Sequence, residues 1–217
     1  MPPPLSELTP LGKRVFEYTT ASPAGDGVCW RKQHLADEID FAAGQFVGVG
    51  VLSLACGHLR EVALSKSVQT GGIEVVHAID QDIESLGLVS SDYGHLKVQP
   101  QVGSLRHVLR GRISVPPVHV AYAAGLYDYL EDRIAIALTA RLFSMLAPGG
   151  KVIVPNFLTT NHARGYMESF MDWHLIVRDQ RQIEGLAAAI PESEIAEQRY
   201  FEDPFGVVGY LEIVKRS

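Results

Sequence analysis

Two short segments combine small residues, an apolar strand and an acid in a pattern that suits a nucleoside. The first is Val51-Leu52-Ser53-Leu54-Ala55-Cys56-Gly57-His58-Leu59-Arg60-Glu61, an apolar run passing through Ala55, Cys56 and Gly57 into a helix predicted to begin near Leu59. Small residues let backbone approach a ligand, and a helix start offers free N–H groups to a carboxylate or phosphate. The second is Val75-Val76-His77-Ala78-Ile79-Asp80, an apolar strand ending in an acid and followed by Gln81. A carboxylate at such a strand end accepts the hydroxyls of a ribose. Gly57 and Asp80 stand 23 residues apart, near the spacing of a nucleoside site. A structural crossover explains the first turn equally well when it is taken alone, and a helix cap would explain Asp80, although Asp82 fills that role better. The dinucleotide fingerprint places three glycines in this turn; Gly57 stands alone, which argues against an NAD-dependent oxidoreductase.

These segments must be held by alternating strands and helices. Residues 1–9 are Pro-rich and expected to be loose, and Leu11 to Ala43 is broadly helical, with Leu35, Ile39 and Ala42 three or four apart. Strands are predicted at Gln45–Leu54, Glu74–Ile79, Lys97–Val102, Val118–Ala123 and Lys151–Pro155, with a helix over Asp132–Leu146 stopped by Pro148-Gly149-Gly150. The last two strands, Glu197–Phe201 and Val207–Val214, are joined by a short turn, and a short connection can only make an antiparallel pair. The pattern predicts an α/β fold: a Rossmann-like, doubly wound, seven-stranded, mostly parallel sheet with a C-terminal antiparallel hairpin, preceded by N-terminal helices. Residues 1–44 form a helical extension or substrate cover, and 45–217 the nucleoside-binding domain.

Composition narrows the partners. With 217 residues, 47% of them hydrophobic, the chain suits a single sizeable core. Its net charge is −6 with scattered Lys and Arg, which argues against nucleic acid. The most apolar run, Val47–Cys56, is far short of a membrane span. Met1 to Pro10 has neither the charged nor the apolar region of a signal peptide, and two cysteines do not make a disulfide framework. A cytoplasmic protein is expected. Eight His residues without ligand spacing and two Cys predict no metal site.

The same segments resemble the class I S-adenosylmethionine-dependent methyltransferases over about residues 45–217. Ser53 to Gly57 occupies the glycine-rich first motif, with Ser53 in place of its acid, Ala55 of its first glycine and Leu59 of its last. Asp80 matches the ribose-binding acid, Gly103-Ser104-Leu105 the turn that meets adenine, Ala123 to Leu130 the loop beside the transferred methyl, and Leu146 to Lys151 the turn before strand five. The resemblance implies S-adenosylmethionine as cofactor, held by Ala55, Cys56, Gly57, Asp80, Gln81, Ser104, Leu105, Ala124 and Gly125. Adding Arg60-Glu61, Asn156-Phe157, Tyr166-Met167-Glu168 and Asp172-Trp173, the chain is similar to a bacterial subgroup associated with making 3-hydroxypalmitic acid methyl ester.

The sulfonium of such a cofactor is already activated, so the protein has mainly to align the acceptor and exclude water. A carboxylate acceptor is ionised at neutral pH and needs no general base. Tyr127, Asp128 and Tyr129, directly after a buried strand, and Asn156, ending strand five, are the expected alignment residues, Tyr129 on the acceptor side. The segment from His162 to Arg178 reads as a lid in which Arg164 or Arg178 pairs with an acceptor carboxylate. Tyr166 and Trp173 are substrate candidates, although an aromatic stripe of this kind is more often core. The small-molecule acceptor is the expected partner. The N-terminal helices, through Arg31, Lys32, His34 and Asp37, cover the site or pack on a second copy in a homodimer; sequence alone does not place them. The degenerate first motif also admits a non-catalytic relative that binds the cofactor as a sensor or partner subunit.

Overall fold

The computed structural model describes residues 8–217, so most of the Pro-rich start expected to be loose lies outside the described residues. Two helices open the chain, α1 (Pro10–Thr20) and α2 (Pro23–Gln45). Thr9 and Ser22 cap them through their hydroxyls, each followed by a proline in the first turn, where its missing N–H costs nothing. The 3/4 spacing of Leu35, Ile39 and Ala42 buries one face of α2, as expected. The first strand is shorter than its apolar run: α2 continues to Gln45, Gly48 turns the chain at φ +69°, and β1 is Gly50–Leu54. Val47, read as strand, is 99% exposed.

The remaining elements are α3 (Lys66–Gln69), β2 (Val75–Asp80), α4 (Ile83–Tyr93), β3 (Val98–Val102), α5 (Leu105–Leu109) and β4 (Val118–Tyr122), then α6 (Asp132–Ser144), β5 (Leu146–Phe157), α7 (Arg164–Phe170), α8 (Gln180–Glu184), β6 (Ile195–Glu202) and β7 (Val208–Lys215). They form a seven-stranded sheet in the order β3-β2-β1-β4-β5-β7-β6. The first five strands run parallel and β7 enters antiparallel to both β5 and β6. That inserted antiparallel strand separates the sheet from the dinucleotide-binding order 3-2-1-4-5-6. One face is packed by α2, α3 and α4, the other by α5, α6 and α8, so the central strands are buried on both sides. Pro100 sits in β3, an edge strand, where a missing donor is tolerated.

Two local readings change. Pro148-Gly149-Gly150 does not end α6, which stops at Ser144; it forms an irregularity inside β5, with Gly149 at φ +75°. A Cβ on Gly150 would meet the carbonyl oxygens of Val118 and Ala147 at 2.9 and 3.0 Å, so the backbone itself fills that space. The helix expected from Leu59 is a short 3-10 turn, Arg60–Ala63, then α3. Asp40 of α2 explains the break: its carboxylate takes the Ser65 hydroxyl and the Lys66 and Ser67 amides, fixing a new helix start.

Candidate functional site

Ligands of open α/β sheets bind beyond the carboxyl ends of the strands, and here β1, β2 and β3 end together. Backbone bonds tie the ends: Cys56 N–H donates to the Ile79 carbonyl at 3.2 Å and Gly103 N–H to the Asp80 carbonyl at 2.7 Å. After β1 the chain alternates through left-handed backbone, with Ala55, Gly57 and Leu59 at φ +50°, +52° and +51°. Ala55 and Leu59 therefore adopt the conformation that the missing glycines of the first motif would take, at a cost of about 1–2 kcal/mol each.

Asp80 organises this turn. Its Oδ2 accepts the Gly57 amide at 2.8 Å and its Oδ1 the Asp82 amide at 2.9 Å. Each oxygen keeps a lone pair for a further donor. The Gly57 amide is thereby directed to Asp80, not to a ligand, and the short 3-10 turn offers no helix N-terminus of the kind expected. A cavity of about 230 Å³ opens beside this carboxylate, lined by Leu54, Ala55, Asp80, Gln81, Gly103, Ser104, Leu105 and Leu126. Five of the predicted cofactor residues meet there. Asp82 is, as read, the cap of α4, bonding Glu84 and Ser85 amides.

Cys56 and Ala124 line a second, adjoining cavity of about 180 Å³ with Arg31, His58, Arg60 and Glu61. Gly125 lies alongside, where an added Cβ would be 3.7 Å from Arg31 Nη2. Glu61 is the residue that sequence reasoning gave no role. Its side chain turns inward, its carboxyl accepting the Tyr122 hydroxyl at 2.8 Å and approaching Ser53 Oγ at 3.5 Å. An acid thus stands beside Ser53, the position where the first motif lacks one. Burial pushes the Glu61 carboxyl above its usual range, with Tyr122, Arg31 and Ser53 opposing. The available signal was the Ser53/Glu61 pair itself, eight residues apart across the turn.

The residues expected to face an acceptor divide into two groups. Tyr127 is fully buried, and its hydroxyl bonds Thr139 of α6 at 3.1 Å, so it points into the core instead of toward the strand ends. Arg178 is also fully buried, and all five of its N–H donors are engaged, with Asp132, the Tyr127 and Leu130 carbonyls, and Asn156 Oδ1. Asn156 completes the cluster by donating to the Phe157 and Ile176 carbonyls at 2.9 and 3.0 Å. These three side chains knit the loop after β4 to the end of β5 and leave no donor for a ligand. Asp128 joins them by accepting the Phe157 amide at 2.7 Å. Burial pushes its carboxyl up to about 6, against the pull of the Phe157 amide, Arg31 and Arg178.

Nearer the surface, Tyr129 accepts the Trp173 indole N–H at 2.7 Å, and Trp173 packs edge-on against Phe157. Tyr166 joins α7 to α1, its hydroxyl 2.9 Å from Thr19 Oγ1 and its ring against Tyr18 and Phe170. Arg164 is exposed and paired with Glu168 at 2.6 Å. On the β5–β7 face under α2, His34, Glu38 and Glu212 converge with metal-like spacing. Lys151 Nζ already sits there, 2.6 Å from Glu38 and 3.2 Å from Glu212.

No protein-family model matches the chain, and no curated protein matches it in sequence. Solved structures do. A possible exported protein from Bordetella parapertussis aligns with a TM-score of 0.76 at 14% identity, over 97% of this chain and 74% of that one. Magnesium protoporphyrin IX methyltransferase from Synechocystis PCC 6803, with bound S-adenosylhomocysteine, aligns at 0.61 and 14% identity, over 89% and 87% of the two chains. The N-methyltransferase NodS from Bradyrhizobium japonicum, also with S-adenosylhomocysteine, aligns at 0.60 and 13% identity, over 90% and 89%. The chain has the fold of class I S-adenosylmethionine-dependent methyltransferases.

Proposed function

We propose that this protein transfers a methyl group from S-adenosylmethionine to a small molecule, and that the acceptor is a carboxylate, of the hydroxy fatty acid class. The cavity beside Asp80 carries the first part of this reading. It places a carboxylate with free lone pairs between the ends of β1 and β2, and apolar Leu54, Leu105 and Leu126 around it. An acid for a ribose and an apolar slot for a base are what a nucleoside requires. Bound S-adenosylmethionine supplies an activated methyl group for in-line transfer.

The protein's own residues bind, orient and exclude water. Asp128 sits too deep, at 2% exposure, to take a proton from an acceptor, and its bonding makes it a positioning group for the loop after β4. A carboxylate acceptor suits this arrangement, being already ionised. An acyl chain is supported by the groove of about 500 Å³ on α1, where Leu11, Val15 and Tyr18 meet Tyr166 between the charged Arg14 and Glu17, and by the motifs that resemble the 3-hydroxypalmitate ester subgroup. In this reading the N-terminal helices are the substrate cover. Incubation with S-adenosylmethionine and a series of 3-hydroxy fatty acids, read by mass spectrometry, tests it: methyl esters are expected. Methylation of amines or phenols alone would refute the carboxylate, and no product with any acceptor would favour a non-catalytic binder.

A further inference from the structure

Arg164 and Arg178, the two cations the sequence offers for a carboxylate, are both engaged with protein partners. A third is not. Arg31 projects from α2 over the first turn, and its Nη1 is buried without a hydrogen-bond partner among the described residues. None of the ion pairs among those residues includes it. A buried, unpartnered donor on a charged group is costly, so such a group points to something that completes it.

Its surroundings say what. Arg31 lines the cavity of about 180 Å³ with Lys32, Cys56, Arg60, Glu61 and Ala124. Three cations line it with one acid, which is already bonded to the Tyr122 hydroxyl, and the buried Asp128 carboxyl that Arg31 also attracts is bonded to the Phe157 amide. The cavity therefore favours an anion, and a guanidinium pairs with a planar carboxylate through two parallel hydrogen bonds. Cys56 places it next to Ala55, which borders the Asp80 cavity. α2 is fixed over this point because Gly27, one turn earlier, packs where a Cβ would meet Asp203 Oδ2 at 2.5 Å. Asp203 in turn holds the β6–β7 turn through the Phe205, Val207 and Val208 amides.

We propose that Arg31 is the carboxylate receptor of this site, a guanidinium held over the first turn by α2. The inference rests on the methyltransferase reading, in which both the cofactor's amino-acid end and the acceptor carry a carboxylate. Calorimetric titration of the full chain with S-adenosylhomocysteine and with 5′-methylthioadenosine, which lacks the amino-acid end, separates these sources. If the carboxylate is the cofactor's, Arg31→Gln weakens S-adenosylhomocysteine roughly ten- to hundredfold and leaves methylthioadenosine unchanged. Arg31→Lys then recovers part of the loss. If it is the acceptor's, Arg31→Gln leaves both nucleosides unchanged but weakens 3-hydroxydodecanoate on the S-adenosylhomocysteine-saturated protein by a similar factor, and its methyl ester not at all. Equal weakening of both nucleosides, or no change with any of these probes, overturns the proposal. Failure of the unmutated protein to bind either nucleoside would instead overturn the methyltransferase reading, before any variant is made.

Discussion

Replacing Arg178 by Met should unfold this protein far more readily than its loop position suggests. The side chain is fully buried with all five N–H donors engaged. Methionine fills much of the volume and donates nothing, leaving Asn156 Oδ1 and the Tyr127 and Leu130 carbonyls without that donor. The Tyr127 carbonyl keeps the Leu130 amide, but Asn156 Oδ1 and the Leu130 carbonyl are left buried without that partner, at about 1–3 kcal/mol each, a large part of a domain's usual ~5–15 kcal/mol. Asp132 contributes little to this, since its side chain is 61% exposed and solvent screens the pair. Asp132→Asn should therefore be mild. Urea denaturation followed by circular dichroism measures both variants, with the midpoint of Arg178→Met well below that of Asp132→Asn. A loss under about 1 kcal/mol for Arg178→Met would refute the structural role and return Arg178 to the list of ligand-binding candidates.

Three further outcomes follow from the site. Asp128 is pushed from 3.8 up to about 6 in the folded chain, so the folded state holds a proton that the unfolded state has released between roughly pH 4 and 6; its contribution to stability is full below that window and falls, by at most about 3 kcal/mol, as pH rises through it. Urea titrations should show this fall flattened in Asp128→Asn, and an identical pH profile would contradict the assignment. Ala55→Gly, at φ +50°, should be neutral or stabilising by up to about 1 kcal/mol in thermal melts, since relief of left-handed strain opposes glycine's entropy; clear destabilisation would show the turn is not strained. Cys56 is buried, with its thiol pushed up to about 12 by burial and by Asp80 and Glu61, whereas Cys29 is exposed. A thiol reagent near neutral pH should label only Cys29 in the native chain and both after denaturation; rapid native labelling of Cys56 would contradict that burial.

Most of the sheet was legible because its apolar runs, Asp82 cap and terminal hairpin are local signals, and each of the seven strands overlaps its predicted run, although β1 starts five residues later and β5 five residues earlier. The errors came where a distant residue decides. Asp40 breaks the helix after the first motif from 25 positions away, and the irregularity in β5 sets Gly150 against β4 carbonyls and Gly149 against the Phe46 ring. Ala55, Asp80, Gln81, Ser104 and Leu105 line one cavity, since the order of an open sheet brings its strand ends together. The acceptor side was read less well. Tyr127 and Asn156 looked exposed because they follow buried strands, but a 3-10 turn at Tyr127–Tyr129 and the pairing with Arg178 turn them inward. Arg31 could not be placed at all, because nothing local in α2 shows which strand ends it covers.

In the proposed function the Asp80 cavity takes the nucleoside of S-adenosylmethionine. Calorimetric titration with S-adenosylhomocysteine, with NAD titrated in parallel and Asp80→Ala as the control, tests it most directly. S-adenosylhomocysteine should bind saturably and NAD not at all, with at least a tenfold loss of S-adenosylhomocysteine affinity in an Asp80→Ala variant that still melts cooperatively. Binding of NAD alone, or S-adenosylhomocysteine affinity unchanged in Asp80→Ala, would contradict it.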